Sequence, residues 1–140
     1  MSALNPQTTI ASIFSLLKSD TAGSAVRAAL GAGATSVIPR QTLADATLPA
    51  SPFLVGYAGA ITGDRRQMRD LFYTWLIYDD PVRLWWRING LASLIEAAYT
   101  DNPRLIDGYV IHLASIGAEQ TDEALNRPFR SVQLQVRTRR

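Results

Sequence analysis

Cysteine is absent from the 140 residues, which excludes disulfides and thiolate metal sites outright. Histidine is nearly absent as well. The one copy, His112, falls in an apolar stretch with Val110 and Ala114 on its face and has no acid near it in sequence, the pattern of a packed or surface imidazole rather than a base. With neither residue available, nucleophilic catalysis would need serine or lysine chemistry, and no motif for either is visible. The glutamates Glu96, Glu119 and Glu123 stand in a helical stretch and a polar loop, not as a facing pair. Gly31-Ala32-Gly33 lacks the lysine and the strand-to-helix setting of a phosphate-cradling loop. The residues therefore point away from an enzyme, with no catalytic, cofactor or metal ligand set.

Other shortages narrow the class further. An excess of either charge is lacking: the net charge of +2 is too slight to imply nucleic-acid binding by itself. No apolar run is long enough to span a bilayer, and Met1–Thr9 has no basic stretch leading into an apolar core, so the expectation is a protein made in the cytoplasm with no membrane partner. Repeats and low-complexity tracts are missing. What remains, at 47% hydrophobic and 19% charged, is the composition of a folded globular chain, read as a single domain over 1–140.

The most informative stretch runs from Arg69 to Thr100. In Arg69–Tyr78 the alternate positions Leu71, Tyr73, Trp75 and Ile77 are large, and so are Phe72, Leu76 and Tyr78 between them. That predicts a strand covered on both faces, by helices on one side and by something else, in this chain or a partner, on the other. Asp79 and Asp80 read as caps for a long helix opening at Pro81, because a carboxylate accepts from the free N–H groups of a first turn and proline needs none there. Leu84, Ile88, Leu91, Ile95 and Ala98 then recur at helical spacing, with Asn89, Ser93 and Glu96 opposite. Trp85 and Trp86 diverge by about 100° on a helix. Trp86 falls on the polar side, so it is read either as a rim or subunit contact or as a residue covered by the N-terminal helices.

Around this stretch the chain predicts short helices over Thr8–Lys18 and Ser24–Leu30, an extended piece over Ser36–Arg40, and a proline-bearing loop from Gln41 to Pro52. A strand over Phe53–Ile61 has one small face, Leu54, Gly56, Ala58 and Ala60, where another element can approach closely. A turn at Thr62–Gln67 returns the chain antiparallel, with Arg65, Arg66 and Arg69 at the tip. After a connector broken by Asn102-Pro103, strands are predicted over Tyr109–Ile116 and Phe129–Thr138, the latter alternating Val132, Leu134 and Val136 with Ser131, Gln133, Gln135 and Arg137. The loop between them, Gly117–Pro128, is longer than a hairpin needs. The expected fold is α+β: a mostly antiparallel sheet of about four strands, with one long helix and short N-terminal helices packed on it.

This order of elements, carried by IASIFSLL, SVIPRQTLADATLPASPFLVGY, DLFYTWLIYDD, VRLWWRINGLASLIEAAY, GYVIHLASIGAEQ and RSVQLQVRTR, resembles that of the tail terminator, or tail completion, proteins of long-tailed bacteriophages. The likeness spans nearly the whole chain and rests on layout, not on an invariant motif. It implies a structural virion protein of the tail neck: a homo-oligomeric ring, usually sixfold, that caps the tail tube, ends its polymerisation, and meets the head connector while genomic DNA passes through. Under that resemblance the expected contact surfaces are the hairpin tip with Asp64, Arg65, Arg66 and Arg69, the polar loop with Glu119, Asp122, Glu123 and Arg127, and the apolar sheet face at Tyr73 and Trp75. Two alternatives stand beside it, another neck component such as a head completion or adaptor protein, and a small nucleic-acid-binding domain using Arg65, Arg66, Arg69 and the C-terminal arginines.

Overall fold

The computed structural model describes residues 6–18, 23–31, 33–39, 51–64, 67–81, 85–102 and 109–138. In order these form helices α1 (Pro6–Leu16) and α2 (Ser24–Ala29), a 3-10 turn (Gly33–Ser36), strands β1 (Val37–Pro39), β2 (Phe53–Asp64) and β3 (Gln67–Tyr78), helix α3 (Trp86–Thr100), and strands β4 (Tyr109–Ile116), β5 (Gln120–Asp122) and β6 (Arg127–Thr138). The expectations for Gln41–Ala50, Arg65, Arg66, Leu84, Pro103–Gly108, Arg139 and Arg140 lie outside the described residues.

The expected fold class is corrected. Among the described residues sheet dominates, with six strands instead of about four, and it is mixed: β1 runs parallel to β2 while the other pairs are antiparallel. Among the described residues no long helix organises the fold, because the helix expected from Pro81 is the 15-residue α3, starting at Trp86. The physical reason lies in the strands. β2 and β3 each run 12 residues, past the turn expected at Thr62–Gln67, and β5 adds a short strand inside what reads as polar loop. The sheet order is β1-β2-β3-β6-β4, with β5 also on β6.

The core lies on one face of this sheet. Register aligns Leu54 with Ile77, Gly56 with Trp75, Tyr73 with Leu134 and Val136 with Ile111, so these residues line a common side. Ile13 and Leu17 from the first helical segment, Val26 from α2, and Ile88, Leu91, Ile95 and Tyr99 from α3 complete the same buried cluster. Gly56 is required here. A Cβ on it would stand 2.5 Å from the Tyr73 hydroxyl and 2.7 Å from the Trp75 ring, so the small face of β2 admits two aromatic side chains of the neighbouring strand.

Beneath α1 and α3, one relay joins three elements. The Trp75 indole N–H donates to the Tyr99 hydroxyl at 3.0 Å, and that hydroxyl donates to the Ile13 carbonyl at 2.6 Å. Ile13 belongs to the last turn of α1, so Tyr99 ties the end of that helix to α3 and the sheet. Burial pushes the Tyr99 hydroxyl pKa well above its ordinary value, and burial likewise raises that of Tyr73.

The opposite face holds a smaller cluster at one end, where Tyr78 is stacked between Phe53 and Phe129 at centroid distances of 5.1 and 5.3 Å and Leu125 packs beside them. The rest of that face is mixed: Thr74 is buried, Phe72 and Leu76 are half-buried, and Gln133 and Gln135 of β6 lie across from Thr74 and Phe72.

Candidate assembly surfaces

Asp79 sets where α3 begins, though not as the expected cap. It is fully buried, and its carboxylate accepts from the Asp80 N–H at 2.6 Å and from both arms of the Arg87 fork, Nε at 2.8 Å and Nη2. No side chain caps α3 at its N-cap, Trp85. The hydrogen bond to Asp79, more than the charge nearby, raises the Arg87 pKa. This bidentate pair ties the first turn of α3 to the end of β3.

With its arginine held on one side, the start of α3 presents Trp86 to solvent. It is 66% exposed, and Ile116 at 39% is the other exposed large hydrophobic side chain among the described residues. Arg130 links them. Its Nη1 donates to Asn89 Oδ1 at 2.7 Å, one turn beyond Trp86, and its Nε donates to the carbonyl of Gly117, the residue after Ile116, at 2.9 Å. Glu119 lies 3.9 Å from the same guanidinium. Tryptophan and a pre-positioned arginine are the side chains that most often dominate protein contacts.

No protein-family model matches the chain, and no curated protein matches it.

The residues expected at contact surfaces separate into three groups. Tyr73 and Trp75 are 2% and 0% exposed, under the helices, so they are core and not surface. Their face of β3 reads as apolar for the ordinary reason that helices cover it. In the polar loop, Glu119 and Glu123 are exposed, as expected. Asp122 is instead structural: Oδ1 accepts from the Leu125 N–H at 3.1 Å and Oδ2 from the Tyr78 hydroxyl at 3.1 Å, while Asn126 takes the left-handed backbone (φ 53°) that lets the chain turn into β6. Arg127 is half-buried and donates to Ser51 Oγ at 3.2 Å. At the hairpin, Asp64 pairs with Gln67 and Arg69 lies within β3; Arg65 and Arg66 fall outside the described residues.

A cleft of about 200 Å³ opens between the C-terminal half of α3 and the edge strand β4, lined by Glu96, Tyr99, Thr100, Val110, Leu113 and Leu134 and bordered by the exposed His112. Its floor is apolar and its rim carries a carboxylate. Among the described residues no group of three or more histidine, aspartate or glutamate side chains could hold a metal, and no helix is long and apolar enough to cross a membrane.

Sequence reasoning reached Trp86 but missed Ile116, Arg130 and the cleft. Ile116 and Arg130 read as ordinary strand residues because only the pairing of β4 with β6 brings them beside α3. No sequence signal marks them: the one-residue irregularity after Leu113, which leaves Ile116 opposite Val132 on the helix side of the sheet, shows only in the pairing.

Proposed function

We propose that the chain is a structural, ring-forming protein of the bacteriophage tail neck: a tail terminator that caps the tail tube, stops its growth and joins the tail to the head connector, with no catalytic role. The observation that carries the assembly part of this reading is Trp86, largely exposed one helical turn from Asn89, which holds an arginine fixed by two hydrogen bonds. Tryptophan is enriched among the residues that dominate protein contacts. The neck assignment rests on the order of elements over the whole chain, from the short helices through the hairpin to the last strand.

The test is genetic and visual. Disabling the coding sequence in the parent phage and imaging the lysate by electron microscopy should reveal overlong or unjoined tail tubes beside filled heads. Tails of normal length beside heads that have lost DNA would move the assignment to a head completion protein. Intact virions would overturn the structural reading.

A further inference from the structure

We draw no further inference here: the strongest candidate, the outer edge of β4, which carries no charged residue or proline and pairs only with β6 among the described residues, is already broken by the irregularity after Leu113, and nothing in the structure shows which strand would lie against it.

Discussion

Removing one hydroxyl group at the centre of the fold should cost more than its size suggests. Tyr99→Phe deletes the oxygen that accepts from the Trp75 indole and donates to the Ile13 carbonyl, and both partners are left in a region that water does not reach, Trp75 being 0% and Tyr99 1% exposed. An orphaned buried polar group costs about 1–3 kcal/mol. Leaving the indole N–H without its partner and taking one donor from the carbonyl, with the phenyl ring still filling its place, should cost about 2–4 kcal/mol together. For a domain of this size that is a fall in melting temperature of about 6–15 °C. Urea denaturation with matched slopes measures the loss, and Trp75→Phe with the double variant completes a cycle in which the pair should couple by about 1 kcal/mol or more. A Tyr99→Phe protein less than about 0.5 kcal/mol below wild type would refute the claim that this relay fastens α1 and α3 to the sheet.

Three further outcomes follow from the same geometry. Arg87→Ala leaves the Asp79 carboxylate buried without its fork and should destabilise by about 2–4 kcal/mol, below the full cost of breaking a buried pair because Arg87 is 24% exposed; chemical denaturation reads this directly. Gly56→Ala drives a methyl group into Tyr73 and Trp75 and should cost about 1–3 kcal/mol, with a changed near-ultraviolet circular dichroism signal from the displaced rings. Tyr73 and Tyr99 both hold their protons more tightly when folded, so the folded state binds more protons than the unfolded one above the ordinary tyrosine range. Their contribution is complete below about pH 10 and declines as pH rises beyond it. Melting temperature should therefore fall above that point, and less steeply in Tyr99→Phe.

The local pattern was legible where one period governed a stretch. Val132, Leu134 and Val136 are buried as their alternation requires, and Ile88, Leu91, Ile95 and Ala98 form the inner side of α3. Legibility ended where a residue's partner was distant in sequence. Asp79 looks like a cap from its neighbours alone, but the Arg87 guanidinium, from the second residue of α3, offers two charged donors at once and takes the carboxylate. Val37–Pro39 reads as extended, yet nothing in it says that it pairs parallel to β2. β5 is three polar residues long, too short for any period to register. The sheet face at Tyr73 and Trp75 carried the right hydrophobicity and the wrong inference, because two apolar faces on one strand do not tell which is covered from within.

The sheet is wired through its last strand. β3, β4 and β5 all pair with β6, and β3 and β4 have no ladder with each other. During synthesis, then, the hairpin of β2 and β3 emerges with one side unmatched, and β4 emerges with no strand to join, until the residues from Arg127 onward leave the ribosome. A message cut short before that point yields a chain with two loose strands, the kind of species that chaperones and proteases remove. Closure of the sheet therefore waits on the last strand to be synthesised.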